Sequence, residues 1–309
     1  MTEDGATGRK PLSDNVRGAL LMMGSMAAFG INDALVKLAS VELGLFQIIL
    51  LRGIGASLLI LVLAWRLGAF RVLPAHRDRG VLALRMVGEV GGTLCFLTAL
   101  FHMPIANATA ILQALPLAVT LAAALFLGEP VGWRRYLAIA VGFTGVMIIV
   151  RPGAEGFNLH TLYALGSVGF VVVRDLATRC LSRDVPSMLA ASLTAIVIMI
   201  SGAVGVAVTG EWVPVESSAG WLLAASAVFI FVGYLLSVMT MRAGDIGFIA
   251  PFRYSNLIWA LLLGVFVFAE IPDPHMLIGA AIVVGTGLYS FHRERVRARR
   301  LALASAPRQ

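Results

Sequence analysis

Long apolar segments follow one another along almost the whole chain and are separated by short polar connections. A helix needs about 20 mainly apolar residues to cross the hydrocarbon core of a bilayer. By this criterion the sequence predicts an all-α integral membrane protein with ten transmembrane helices. Their predicted bounds are Val16–Val36, Leu45–Trp65, Val81–Phe101, Ile105–Leu127, Tyr136–Val150, Thr161–Leu181, Met188–Val208, Trp221–Met241, Ile246–Phe268 and Pro274–Phe291.

The sequence also repeats itself with a shift of 142 residues. The stretches Gly24–Ser40 and Gly166–Ser182 share four identities and one basic position: Gly24 with Gly166, Ser25 with Ser167, Asp33 with Asp175, Ser40 with Ser182, and Lys37 with Arg179. At nearly the same shift, Glu129 follows the fourth predicted helix and Glu270 follows the ninth. We therefore interpret the chain as two copies of one five-helix unit.

An odd number of helices in each copy requires the second copy to lie upside down relative to the first. Inverted repeats of this kind recur in transporters, which bind their substrate near the bilayer midplane between the two halves. The predicted organisation is a disordered cytoplasmic tail over residues 1–15, a first repeat over 16–150, a second repeat over 161–291, and a basic cytoplasmic tail over 292–309.

Basic residues are distributed unevenly between the two sides of the predicted topology. Of the 24 Lys and Arg residues, 18 lie on the side of the N-terminus and two, Lys37 and Arg151, on the other side. Cytoplasmic loops are enriched in Lys and Arg. The pattern predicts a multi-pass protein of the inner membrane with both termini in the cytoplasm.

Composition and motifs narrow the function classes. The chain is 59% hydrophobic and 13% charged, whereas soluble domains have about 25% charged residues. The net charge of +7 reflects membrane topology, so we expect a lipid bilayer and no nucleic acid as partner. The sequence lacks HExxH, GxSxG and Cys/His clusters. We therefore expect no enzyme, no cofactor and no metal site, and the oligomeric state stays open.

Ionisable residues inside the predicted helices are the candidate functional groups, because each costs about 2.5–3.5 kcal/mol at the bilayer centre on insertion scales. Arg253 aligns with apolar Ile111 in the first copy, so its charge is not part of the repeated scaffold. A structural ion pair is the alternative to substrate binding. Nearby Tyr254, Asn256 and Trp259 add polar and aromatic groups that, with a planar cation, suit a flat heteroaromatic ligand.

Three more residues, Arg174, Asn32 and Arg52, are candidates on the opposite wall of the cavity. Arg174 precedes Asp175, but adjacent residues point about 100° apart on a helix and need not pair. Asp33 and Asp175 correspond across the repeat, which favours a structural role over a functional one such as proton coupling, and Asp33 can pair with Lys37 at i,i+4. Arg85 is expected to pair locally with Glu89. Pro116 and Pro251 are expected to kink or loosen their helices.

Two five-helix halves, Glu129 at the end of the fourth helix, and the stretch PFRYSNLIWALLLGVFVFAEIPD over Pro251–Asp273 resemble the drug/metabolite transporter (DMT) superfamily, in its ten-helix type with EamA domains. The resemblance implies a secondary transporter of a small organic metabolite. Arg253 with Asn256, together with the Arg174–Asp175 pair, is most similar to riboflavin and S-adenosylmethionine uptake members. Amino-acid or drug export on the same fold is the alternative, and a channel or a membrane-embedded enzyme would be other classes. Because the chain has no P-loop, we expect transport to follow a gradient or to be facilitated diffusion.

Overall fold

The computed structural model describes residues 14–68, 75–152, 159–182, 184–240 and 245–304. These residues form twelve α-helices and one 3₁₀ segment, Ala250–Tyr254. Ten stretches are long and apolar enough to cross a membrane, which confirms the predicted fold class. The helices are α1 Asp14–Ala39, α2 Leu45–Arg66, α3 His76–His102, α4 Ile105–Leu112, α5 Leu115–Phe126, α6 Trp133–Val150, α7 Leu159–Cys180, α8 Ser187–Thr209, α9 Ser217–Thr240, α10 Ile246–Ile249, α11 Ser255–Phe268 and α12 Pro274–Ala304.

The helix ends differ from the predicted bounds mainly at the two tails. The helix α1 begins at Asp14, inside the tail predicted over residues 1–15, and α12 continues to Ala304, so most of the tail predicted over 292–309 is helical. Good helix formers such as Arg, Ala and Leu extend a helix beyond its apolar part, where hydropathy gives no signal. Residues 1–13 and 305–309 of these tails lie outside the described residues.

Two of the ten spans are interrupted, both near proline. The fourth span is divided at Gln113–Ala114 into α4 and α5, with Pro116 in the first turn of α5. The ninth span comprises α10, the 3₁₀ segment with Pro251, and α11. Proline lacks the N–H that an uninterrupted helix requires. The predicted effect of both prolines is confirmed, and the two breaks occupy corresponding parts of the two repeats.

Helix packing follows the predicted inverted repeat. The helix α1 packs along α9 and α7 packs along α3, while α2 packs against α8 and α6 against α12. When each helix is replaced by its counterpart in the other repeat, the α1–α9 contact becomes the α7–α3 contact and the reverse. The α2–α8 and α6–α12 contacts each remain the same. Equivalent small-residue contacts support this relation: a Cβ atom at Gly233 would collide with the ring of Phe29, and one at Gly91 with the ring of Phe170. Glycine therefore permits close helix approach at both places.

The ends of α6 and α12 are joined on the side of the membrane opposite the N-terminus. Arg151, which caps α6 in a left-handed conformation with φ 47°, donates a hydrogen bond of 2.6 Å to Asp273. The backbone N–H and ring of His275 also bond this carboxylate. Hydrogen bonds from His275 and then from Arg151 lower the pKa of Asp273 below its usual value.

Candidate substrate-binding site

Ionisable side chains from both halves meet in the middle of the helix bundle. Asp33 on α1 interacts electrostatically with Arg52 on α2, and Tyr234 on α9 interacts with Arg52, Arg85, Glu89 and Arg174. Arg174 and Asp175 on α7 in turn interact with Arg253 of the ninth span. We call this set the central cluster: Asp33, Arg52, Arg85, Glu89, Arg174, Asp175, Tyr234 and Arg253. When its Arg, Asp and Glu side chains are ionised, its arginines outnumber its carboxylates and the cluster is net positive.

Arg253 differs from the other arginines of the central cluster in its lack of a close partner. It lies in the 3₁₀ segment and is exposed, although Arg174 and Asp175 act on it electrostatically. Within the described ranges, its guanidinium group makes no hydrogen bond and no ion pair. Its counterpart Ile111 is fully buried in an apolar core. The planar donors of Arg253 are therefore available to a ligand.

The three candidates that follow Arg253 point to two different neighbours. Tyr254 is buried against Phe291 and Gly287 of α12, with 6.3 Å between the two ring centroids. Asn256 and Trp259 instead face α1 at Gly30, where a Cβ atom would lie 3.7 Å from Asn256 Oδ1 and 3.3 Å from Trp259 Cβ. The structure thus brings Asn256 and Trp259 together and places Tyr254 on another side of the segment.

Polar atoms of these same residues have unused hydrogen-bonding capacity. Tyr254 Oη, Ser255 Oγ, Asn256 Oδ1 and Trp259 Nε1 are buried and have no hydrogen-bond partner in the described part of the protein. Buried polar groups are normally hydrogen-bonded, and an unsatisfied one costs about 1–3 kcal/mol. Four such atoms within six residues make this stretch a candidate for binding a polar ligand.

Arg174 is held by two carboxylates. Its Nε and Nη2 atoms lie 2.9 and 2.8 Å from Asp175 Oδ1, and its Nη1 lies 3.5 Å from Glu89 Oε1 on α3. The adjacent residues Arg174 and Asp175 therefore do pair, because a long arginine side chain can turn back to its neighbour. Arg174 links α7 to α3 and remains about one quarter exposed, with a side-chain exposure of 26%.

Asn32 and Arg52 form part of the opposite wall. Both polar atoms of Asn32 are used: Nδ2 donates to Asp33 Oδ1 at 3.0 Å, and Oδ1 accepts from Ser226 Oγ at 2.7 Å. Asn32 therefore connects α1 to α9. Arg52 is buried and lines a small cavity with residues of α8 and α9, including Thr194 and Tyr234.

The ion pair between Asp33 and Lys37 considered from the sequence does not form. Lys37 Nζ lies 2.6 Å from Glu270 Oε1 and 2.7 Å from the carbonyl oxygen of Met103, while Asp33 bonds Asn32. The packing of α1 against α11 provides Lys37 with a tertiary partner. This partner replaces the local i,i+4 contact.

Five members of the central cluster were not among the predicted substrate-binding residues: Asp33, Arg85, Glu89, Asp175 and Tyr234. Glu89 contacts Arg85 at 3.7 Å, as expected, but also Arg174. Arg85 itself bonds Thr178 and Thr194, so its principal contacts are with α7 and α8. Tyr234 is packed edge-to-face on Phe29. The sequence signal that could have identified Glu89 and Tyr234 is that an acid or a tyrosine hydroxyl is rare within an apolar span.

In the described ranges, no three His, Cys, Asp or Glu side chains form a potential metal site.

Comparison with known proteins places this architecture in a family. Residues 16–151 match the sequence model of the EamA-like transporter family. These residues form an EamA-like domain of the drug/metabolite transporter superfamily. A solved crystal structure of another protein superposes on this chain with a TM-score of 0.61 at 17% identity, covering 92% of this chain and 98% of the other. That likeness shows a shared fold.

Three relatives of this chain are transporters with named substrates. The riboflavin transporter of Vibrio cholerae is 29% identical over 92% of this chain and 96% of its own length. The S-adenosylmethionine uptake transporter of Rickettsia conorii is 25% identical over 88% and 91%. The pseudopaline exporter CntI of Pseudomonas aeruginosa is 28% identical over 86% and 93%. The relatives are transporters, and they include both uptake and export proteins. The predicted superfamily is confirmed, and the chain is a multi-pass membrane protein.

Proposed function

We propose that this transporter takes up riboflavin across the cytoplasmic membrane. The proposal is supported by a relative named as a riboflavin transporter that aligns over nearly the whole chain. The principal structural support is Arg253, an exposed arginine of the central cluster with no close partner among the described residues. An unpaired arginine inside a membrane protein is costly, and a bound ligand would compensate this cost.

We assign the ligand contacts by chemical complementarity. Riboflavin has a flat heteroaromatic ring with carbonyl oxygens and a chain of hydroxyl groups. Arg253 would donate to the ring carbonyls, and Trp259 would cover the ring face. The unpartnered oxygen of Asn256 would bond the hydroxyl groups, and Tyr254, packed on α12, would hold the segment that carries the other contacts. Arg174, Asn32 and Arg52 would complete the opposite wall, with Arg174 and Arg52 adding positive charge near the ring oxygens.

The same proposal includes the topology and the mode of transport. Both termini lie in the cytoplasm, in accordance with the excess of Lys and Arg on that side. The repeats over residues 16–150 and 161–291 rock against each other, so that the central cluster opens to one side of the membrane at a time. Transport follows a gradient or is facilitated diffusion.

Growth of a bacterial strain that cannot synthesise riboflavin tests this function. The strain would express this chain and receive a low external concentration of riboflavin. We expect the wild-type chain to restore growth and Arg253→Ala to abolish rescue at an equal amount of membrane-inserted protein. Arg66→Ala is the matched control, because Arg66 is exposed at the end of α2 and outside the central cluster.

The outcomes separate the substrate from the site. Rescue by wild-type and by Arg253→Ala alike would reject the site and retain the substrate. Absence of rescue by the wild-type chain, with the protein present in the membrane, would reject riboflavin uptake. Accumulation of labelled S-adenosylmethionine by the same cells would then be measured first, and export of amino acids second, because an exporter is also among the relatives.

A further inference from the structure

Two ion pairs connect the halves of the transporter at opposite sides of the membrane. On the side opposite the N-terminus, Lys37 at the end of α1 contacts Glu270 at 2.6 Å. On the N-terminal side, Arg179 at the end of α7 contacts Glu129 at 2.8 Å. Each pair joins a basic residue of one half to an acidic residue of the other half.

The two pairs are copies of each other under the internal repeat. Lys37 corresponds to Arg179 at a shift of 142 residues, and Glu129 corresponds to Glu270 at a shift of 141. The backbone that positions each glutamate is also copied. Gly128 and Ala269 both have positive φ, 66° and 53°. In both cases the following glutamate N–H bonds the carbonyl six residues earlier, Ala123 and Gly264 respectively.

The pairs differ strongly in their surroundings. The side chains of Lys37 and Glu270 are 12% and 20% exposed, whereas those of Arg179 and Glu129 are 44% and 47% exposed. Lys37 also bonds the Met103 carbonyl and lies 5.0 Å from the ring centroid of Phe268. Glu270 also accepts from the backbone N–H of Ile105 at the start of α4. Desolvated, multiply bonded pairs resist separation more than exposed ones.

We propose that Lys37–Glu270 and Arg179–Glu129 are the two gates of alternating access. Opening toward one side separates the pair on that side and leaves the other formed. With both pairs formed, the central cluster lies between two closed gates. The buried pair makes the gate opposite the N-terminus the stronger of the two, so the resting equilibrium favours the state that opens on the N-terminal side. The inference needs transport between two halves, but it does not require riboflavin as the substrate.

Accessibility of a cysteine reporter in the cavity tests the gates without any substrate. Cys95 and Cys180 are first replaced by serine, and Ala191→Cys is introduced, because Ala191 lines the cavity beside Arg52. A membrane-impermeant maleimide is then added to right-side-out or inside-out vesicles. The initial labelling rate from each side is compared with that of the reporter protein carrying no gate substitution.

Removing each gate should shift labelling in opposite directions. From the side opposite the N-terminus, Glu270→Gln should raise the labelling rate by about tenfold, because it removes a largely buried charged partner. Glu129→Gln should lower that rate by about twofold to fivefold, the effect of an exposed ion pair. Lys37→Gln should act in the same direction as Glu270→Gln, which provides a second variant if one of them accumulates poorly.

The double variant distinguishes a gate from general damage. Glu270→Gln combined with Glu129→Gln should label at a rate between those of the two single variants, since their effects on one equilibrium oppose each other. Glu216→Gln is the control, because Glu216 is an exposed acid on the same side as Glu270 and outside both pairs. Equal labelling in Glu270→Gln and Glu216→Gln, or a double variant labelled faster than both singles, would overturn the proposal.

Discussion

At the scale of single residues, the arginines of the central cluster differ in whether carboxylates compensate them. Arg174 has Glu89 and Asp175 within 3.5 Å, whereas Arg253 interacts with Asp175 only at longer range. A compensated arginine contributes to stability, because its removal leaves carboxylates without a counter-charge. An arginine without a nearby carboxylate is energetically unfavourable inside a membrane protein. It is therefore the better candidate for ligand binding.

Arg174→Gln should therefore destabilise the protein more than Arg179→Gln, a change of the same kind on the same helix. We expect Arg174→Gln to lower the free energy of unfolding by about 2 kcal/mol, since Glu89 and Asp175 lose a partly buried partner. Arg179→Gln should cost less than about 1 kcal/mol, because its pair is exposed. Thermal unfolding of the purified protein in detergent measures both, and equal midpoints for the two variants would contradict this assignment.

The sequence predicted the residues of the site better than it predicted their partners. Arg253 was identified because the repeat aligns it with Ile111, a comparison that needs no coordinates. The pair between Lys37 and Glu270 was missed because Asp33 lies one helix turn from Lys37. This local acid was taken as the partner of Lys37. A residue 233 positions away that is brought near by packing is not visible in local spacing. Tyr234 was missed because one hydroxyl group barely alters an apolar run.

At the scale of helices, apolar length determined which segments span the membrane, and turn chemistry determined how they end. All ten spans follow from hydropathy. The extension of α12 to Ala304 and the division of the fourth span between Leu112 and Leu115 do not, because they depend on helix propensity and on proline. The repeated turn before Glu129 and Glu270 could be recognised only from the backbone angles, because one copy has glycine at the left-handed position and the other has alanine.

This difference gives a matched pair of predictions. Ala269 adopts a left-handed conformation with φ 53°, which costs a residue with a Cβ about 1–2 kcal/mol. Ala269→Gly should therefore stabilise the protein by up to about 1 kcal/mol after the greater chain entropy of glycine is subtracted. Gly128→Ala should destabilise it by about 1 kcal/mol through backbone strain alone, because no atom lies within 4 Å of a Cβ there.

Detergent melting curves of the two turn variants test the strain argument. The midpoints should move in opposite directions, upward for Ala269→Gly and downward for Gly128→Ala. A fall in both would show that the Ala269 methyl group stabilises the turn by packing, and that its backbone strain is not the dominant contribution. Gly80→Ala serves as a control, since Gly80 lies within α3 with no atom near a Cβ and alanine favours a helix there.

At the scale of the whole molecule, the inverted repeat and the membrane orientation together assign each gate to a side. The contact between α1 and α9 corresponds in the inverted repeat to the contact between α7 and α3. The ion pairs at the ends of α1 and α7 therefore lie at opposite ends of the bundle. Only the distribution of charge says which end faces the cytoplasm. The 18 basic residues on the side of the N-terminus, against two on the other, predict that Arg179–Glu129 lies inside and the buried Lys37–Glu270 pair outside.

Reporter fusions in intact bacteria test this orientation. Green fluorescent protein fused after Gln309 should fluoresce, because it folds in the cytoplasm, while alkaline phosphatase at the same position should be inactive. The same phosphatase inserted between α8 and α9, after Pro214, should be active, because an odd number of spans separates that connection from the N-terminus. An active phosphatase after Gln309 would invert the whole assignment. The buried pair would then close the cytoplasmic side, and the resting state would open outward.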